Sequence, residues 1–176
     1  VDRVCAAGSG HHYADQQNKK YEHEDTCLML CKMVSGALVK IRIDMLSDRP
    51  HSMMNYQLQG TDGCYESARA PGESNRIWIR SRGDNSQVWT DLSEIADEFL
   101  PAAWRDYGDV ASKSGHSGGD FIELVDFVDV IRNGGKPEIG LHEAMDMTLP
   151  GLISQESILQ GGIWMEVPNS RGWVGN

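Results

Sequence analysis

The sequence predicts an α+β fold: a mostly antiparallel, open-faced sheet with helices packed on one face. Three observations predict it. Short runs of period two, broken by Gly-rich turns, fill the first half of the chain. From Asp91 onward the apolar positions switch to helical spacing. The 176 residues, 40% of them hydrophobic with five Trp and eight Met, suffice for a real core.

Taken in order, Thr26–Val34 is apolar on nearly every position, as a strand covered on both sides would be. Ser35-Gly36 turns the chain, and Ala37–Met45 then alternates. Val39, Ile41, Ile43 and Met45 oppose Lys40, Arg42 and Asp44, so the two runs form a hairpin. Met53–Gln59 alternates again, Gly60–Gly63 is a turn, and short strands are expected at Cys64–Ser67, Arg76–Arg80 and Gln87–Thr90. The helical half begins with an acidic segment, Leu92–Phe99, stopped near Pro101, and continues with Ala102–Ser112. The spacing of Phe121, Leu124, Val125, Val128 and Ile131 predicts an amphipathic helix over Asp120–Arg132, closed by Asn133-Gly134-Gly135. A helical pattern from Leu141 to Gln160 contains Pro150 and predicts a kink or two helices there. Ile163–Val167 reads as a last short strand. Helices on one side leave Lys40, Arg42, Gln57, Gln59 and Trp78 on the uncovered face, which is either wet or a place for a second subunit.

Charge narrows the function. A net charge of −10 argues against a nucleic-acid or anionic-membrane surface, both of which need clustered Lys and Arg. No apolar run has the length to span a bilayer, and the first residues lack a signal-peptide pattern. Cys5, Cys27, Cys31 and Cys64 have neither Cys-x-x-Cys spacing nor a paired His knuckle, so they read as reduced structural thiols in a cytoplasmic protein. His11-His12 in an extended segment points two ways and is not a metal site. Glu24-Asp25 reads as a solvated approach to the first strand rather than a catalytic carboxylate pair.

Two loops carry candidate chemistry. Ser47–Ser52 is a Pro-stiffened segment after the hairpin, with Arg49 able to hold a hydroxyl or carboxylate and His51 able to move a proton near neutral pH. The plain alternative pairs Arg49 with Asp48 or Glu66 and leaves His51 on the surface. Ser114–Asp120 places three Gly around His116 ahead of the predicted helix, where backbone amides and an imidazole approach a ligand. Its plain reading is a helix start capped by Ser117 or Asp120. The Gly spacing is not that of a dinucleotide fingerprint, and no P-loop or G-x-S-x-G occurs.

An ordered set of segments resembles the C-terminal domain of the glucose–fructose oxidoreductase/inositol dehydrogenase (Gfo/Idh/MocA) family. These are Glu24-Asp25-Thr26, Arg49–Ser52, Gln57–Gly63, Gly115–Phe121, Phe127–Gly134, Leu149–Ile158 and Val167-Pro168, which together cover almost the whole chain. The subgroup most resembled includes predicted dehydrogenases and NAD-dependent glycoside hydrolases. The resemblance implies that residues 1–176 are one C-terminal domain for substrate binding and oligomerisation, belonging to a larger protein whose N-terminal Rossmann domain binds NAD or NADP. It implies hydride transfer at a carbinol carbon of a sugar or cyclitol, or, in the hydrolase relatives, the same step used transiently. Homo-oligomers through the open sheet face are implied as well. Arg49 and His51 match a family segment near the substrate pocket, where relatives carry Tyr in place of His51. Gly115–Asp120 matches a Gly-His-Gly-Gly-type helix start beside the site, with Ser117 standing where a Gly is usual. Arg49, His51 and His116 are therefore the expected substrate contacts. The family's Glu-Lys-Pro motif and Rossmann glycines have no counterpart, so no catalytic residue and no cofactor is expected within this chain. A stand-alone carbohydrate-binding or interaction domain is the third reading.

Overall fold

The computed structural model describes residues 1–44, 46–47, 54–82 and 88–173. Among them the strands form two four-stranded antiparallel sheets, accompanied by four α-helices, which is the expected α+β class. The chain separates into two compact units, Val1–Asp48 with Gly134–Asn176, and Arg49–Asn133.

In the first unit, β1 (Arg3–Gly8), β2 (Thr26–Lys32), β3 (Leu38–Asp44) and β8 (Met165–Glu166) lie in the order β3-β2-β1-β8. The β2–β3 hairpin is the predicted one. It closes where Met33 N donates to Ala37 O and Gly36 N to Met33 O, both at 2.9 Å. Register puts Val39, Ile41 and Ile43 opposite Cys31, Met29 and Cys27. On the same face Val4 and Ala6 of β1 meet Cys31 and Met29. Those four are the buried centre, and Ile153 and Ile158 of α4 (Leu141–Leu159) pack against it. Lys40 and Arg42 fall on the opposite face, as expected, beside Leu30 and Leu28. All four cysteines are free, and burial pushes the thiols of Cys27 and Cys31 up.

Ser157 joins helix to sheet. It is fully buried, donates its hydroxyl to Ile163 O at 2.6 Å and accepts from Ala6 N at 3.0 Å. Strand β8 pairs with β1 only at Arg3 and Val4, so this hydroxyl takes the place of a strand neighbour for Ala6. Of the two outcomes expected at Pro150, a kink or two helices, the second is corrected: one helix runs from Leu141 to Leu159 with Pro150 inside it. Pro150 is buried. Packing of this stretch on the sheet outweighs the one backbone hydrogen bond a proline forgoes.

In the second unit, β4 (Gln57–Gln59), β5 (Gly63–Glu66), β6 (Arg76–Ile79) and β7 (Thr90–Asp91) pair in chain order. Gln59, Cys64 and Trp78 share one face; Leu58, Tyr65 and Ile77 share the other. Trp78 is not the open aromatic that its alternation suggested. It is half-buried, and its indole nitrogen is enclosed with no hydrogen-bond partner among the described residues. Of the expected strand Gln87–Thr90, only Thr90 pairs among the described residues, together with Asp91. The acidic segment folds as a 3₁₀ turn, Leu92–Glu94, followed by one α-turn, α1 (Ala96–Phe99).

Helices α2 (Ala102–Ala111) and α3 (Gly119–Asn133) complete this unit and pack together, with the Tyr107 and Phe121 rings 6.0 Å apart. The expected stripe on α3 is only partly covered. Phe121 and Val125 are half-buried, whereas Leu124, Val128 and Ile131 are exposed. No described helix is long and apolar enough to cross a membrane.

Candidate functional site

His116 is the one expected substrate contact that falls within the described residues. It opens a short 3₁₀ turn, His116–Gly118, between α2 and α3. Three successive residues there are left-handed: His116 at φ 50°, Ser117 at 56° and Gly118 at 105°. Such backbone is costly for the two L-residues and is characteristic of binding loops held by their surroundings. Gly118 supplies the anchor. It is buried, and a Cβ on it would lie 2.7 Å from the Trp104 ring and 3.0 Å from the Ala111 carbonyl carbon. Ser117 occupies the position where relatives were expected to carry Gly, and its φ explains why Gly would be easy there.

The His116 side chain is 82% exposed, and its Nδ1 lies 2.8 Å from Asp120 Oδ1. A carboxylate only accepts, so Nδ1 carries the hydrogen and Nε2 is left to meet a ligand. Hydrogen bonding and then the charge of Asp120 raise the His116 pKa. The arrangement is a positioned acid–base group at the mouth of a Gly-rich turn. Asp120 therefore holds His116 rather than capping the helix. The sequence reading missed this role, although the spacing of four residues was its signal.

Arg49 and His51 lie outside the described residues. The stem that leads to them is fixed: Asp44 accepts from Leu46 N at 3.3 Å, Ser47 N at 3.0 Å and the Ser47 hydroxyl. The Ser47 hydroxyl above all holds the Asp44 carboxyl far below the usual range. Glu66, offered as a surface partner for Arg49, accepts from Arg69 at 3.1 Å and Arg76 at 3.4 Å.

A second cluster joins two motifs that stand apart in the sequence reading, His11-His12 and the Glu24-Asp25 pair expected to be solvated. Asp25 is 5% exposed, not solvated. Its Oδ2 accepts from His12 N at 2.6 Å and from the His12 ring at 2.8 Å, and Oδ1 receives Tyr13 N at 3.5 Å. Burial pushes the Asp25 carboxyl up, but the amide and ring of His12 outweigh it, so its pKa sits below the ordinary value. Glu24 folds the other way, accepting from Gly10 N with its Oε1 3.8 Å from His11 Nε2. Gly8 leaves room for it, since a Cβ there would fall 2.2 Å from the Glu24 carboxyl carbon. The two carboxylates thus clamp the loop after β1 instead of sharing a substrate. No local pattern announces this, because it depends on Gly8 pairing with Cys27 across the sheet.

No group of three His, Cys, Asp or Glu among the described residues is placed to hold a metal. Nor do the described residues build a dinucleotide cradle. Every strand ladder among them is antiparallel, and the Gly-rich turn at His116 follows a helix rather than a strand. The described residues therefore form no pyrophosphate site of strand, loop and helix.

The fold is similar to part of a solved sugar dehydrogenase. A levoglucosan dehydrogenase solved in complex with NADH and levoglucosan superposes with a TM-score of 0.62 at 17% identity, over 96% of this chain and 45% of that one. Residues 4–173 match the family described as glycosyl hydrolase 109, C-terminal domain, and the chain belongs to that family. Among named relatives, a glycosyl hydrolase family 109 protein of Saccharopolyspora erythraea is 29% identical over 152 residues, covering 86% of this chain and 31% of the relative. An alpha-N-acetylgalactosaminidase of Tannerella forsythia is 24% identical over 173 residues, covering 97% of this chain and 35% of the relative. The chain thus spans about a third of the length of these relatives.

Proposed function

We propose that this chain is the sugar-facing and oligomerisation domain of a longer NAD-dependent enzyme that acts on a sugar hydroxyl by hydride transfer. The match of residues 4–173 to the glycosyl hydrolase 109 C-terminal domain supports a sugar-directed domain, and the likeness in fold to a levoglucosan dehydrogenase supports the hydride transfer. In it, Arg49, His51 and His116 contact the sugar. His116, pre-set by Asp120, presents Nε2 to a hydroxyl, and Arg49 supplies paired donors to a neighbouring oxygen. The dinucleotide is held outside this chain. The open face of the first sheet, with Leu28 and Leu30 about 40% exposed beside Arg42 and Lys40, is the contact for a second copy. A cytoplasmic setting suits the four free thiols.

The names of the relatives favour a second reading of the same chemistry, in which hydride transfer is transient and the net reaction is hydrolysis of a glycoside. One experiment separates the two. The natural full-length protein is given NAD⁺ and p-nitrophenyl α-N-acetylgalactosaminide, and release of nitrophenol is followed beside NADH absorbance. Nitrophenol without accumulating NADH selects the glycosidase; NADH in proportion to sugar consumed selects the dehydrogenase. Neither signal, across a panel of neutral sugars and cyclitols, removes both.

A further inference from the structure

The second unit holds an open cleft of about 450 Å³ lined by Glu73, Ser74, Arg76, Trp89, Asp91 and Glu94. None of these residues belongs to the loops already assigned to the sugar that reacts. The cleft is open and mostly polar, so it would seat one face of a ligand rather than enclose it. Its chemistry is uneven in a useful way. Trp89, 40% exposed, provides an apolar plate. Arg76 lies over the same indole, 5.7 Å from its centroid, and is tied behind to Glu66 at 3.4 Å, so the ring is steadied from its own sheet. Asp91 is fixed by the Ser74 hydroxyl and by Ser93, whose amide donates at 2.9 Å. These contacts hold its carboxylate ionised.

Three carboxylates against one guanidinium repel anions, including phosphates, nucleotide sugars and acidic sugars. An aromatic plate beside ionised carboxylates matches a neutral pyranose instead. The C–H face of the sugar stacks on the indole, while vicinal hydroxyls donate to carboxylate oxygens in charge-assisted hydrogen bonds. We propose that this cleft is an accessory subsite for a neutral saccharide unit of an extended glycan, with Trp89 as its platform. The proposal rests on the sugar-directed reading above and adds a second, non-reacting contact to it. Because the cleft is open on one side, the rest of the glycan can extend into solvent.

The test is a titration of the natural full-length protein, ¹⁵N-labelled at tryptophan, with N-acetylgalactosamine, its α-methyl glycoside, glucuronate and tetramethylammonium. A saturable shift of the Trp89 indole resonance with the two neutral sugars, at about millimolar affinity, is expected. Glucuronate should give none. Read in uniformly ¹⁵N-labelled protein at the backbone amides of Asp91 and Glu94, which remain in the variants, Trp89→Ala should weaken binding at least tenfold and Trp89→Phe should restore part of it. Absence of a saturable shift, a cleft amide response that keeps its affinity in Trp89→Ala, or tighter binding of tetramethylammonium than of either sugar overturns the subsite. Turnover measured on the same samples keeps the two ideas apart. Aglycone or NADH release that persists without a Trp89 response removes the subsite alone. A Trp89 response in a protein with no turnover on any sugar removes the enzymatic reading.

Discussion

The ring of His12 donates its Nδ1 hydrogen to Oδ2 of Asp25 at 2.8 Å, with the carboxylate buried and 72% of the imidazole side chain in solvent. The same carboxylate also receives two consecutive amides, so it fixes the His12–Tyr13 stretch of the loop after β1. Replacing Asp25 with Ala should release this loop: hydrogen exchange at the amides of His12 and Tyr13 should accelerate while that of β2 is retained. The pH dependence follows from the sign of the shift. Asp25 has a depressed folded pKa, so its contribution is complete above the unfolded value, about 3.9. It is lost as pH falls through the lower folded value. Amide exchange measured from pH 6 to pH 3 should therefore show the loop loosening only at the acid end, and a loop equally protected in Asp25→Ala would count against the clamp.

Ser157 is the next point of failure. Its removal leaves the Ala6 amide and the Ile163 carbonyl without their buried partner. Ser157→Ala should cost about 1–3 kcal/mol, read as a lower urea midpoint with unchanged slope. A midpoint equal to that of the unaltered chain would mean that water or backbone replaces the hydroxyl.

At the His116 turn two substitutions should move in opposite directions. Gly118→Ala drives a methyl into Trp104 and the Ala111 backbone and imposes a left-handed φ, and should destabilise by about 2–4 kcal/mol. Ser117→Gly removes an L-residue from φ 56° and should be neutral or stabilising by up to about 1 kcal/mol, the gain being trimmed by glycine's greater freedom when unfolded. Thermal unfolding of the two variants beside the unaltered chain decides both.

The His116–Asp120 pair gives a prediction of the opposite pH sign. Because Asp120 raises the His116 pKa, the pair's contribution is present below the unfolded value of about 6.5. It is lost as pH rises through the higher folded value. Asp120→Asn should shift the His116 titration downward in an NMR series, with little change in stability because both side chains are exposed. An unmoved titration would show that the two do not interact in solution.

If the open face of the first sheet joins two copies, Leu30→Lys should lower the mass measured by light scattering to that of one chain, whereas Val34→Lys, on the adjoining turn and already 87% exposed, should not.

Much of the hairpin, of α3 and of the His116 turn was legible because each is local. Val39, Ile41 and Ile43 alternate within one run, and the glycines around His116 mark the turn before α3, although the His116–Asp120 pair inside it went unread. β1 was not legible. Its Ala-Ala-Gly end has little strand character, yet it lies between β2 and β8 because Val4 and Ala6 complete the buried face. Asp25 looked solvated for a similar reason, since its cover is a loop that only the β1–β2 register brings over it.

Sequence alone determined the period of each run, the turn chemistry at Ser35-Gly36, the net negative charge and the residue types in the two candidate loops, since these depend on composition and on neighbours in the chain. Tertiary structure decided which carboxylates are buried, that α4 continues through Pro150, that Trp78 is enclosed and that Trp89 lines a cleft. Each of these turns on free energies of burial and pairing between residues far apart in sequence, and such terms exist only once the sheets have formed.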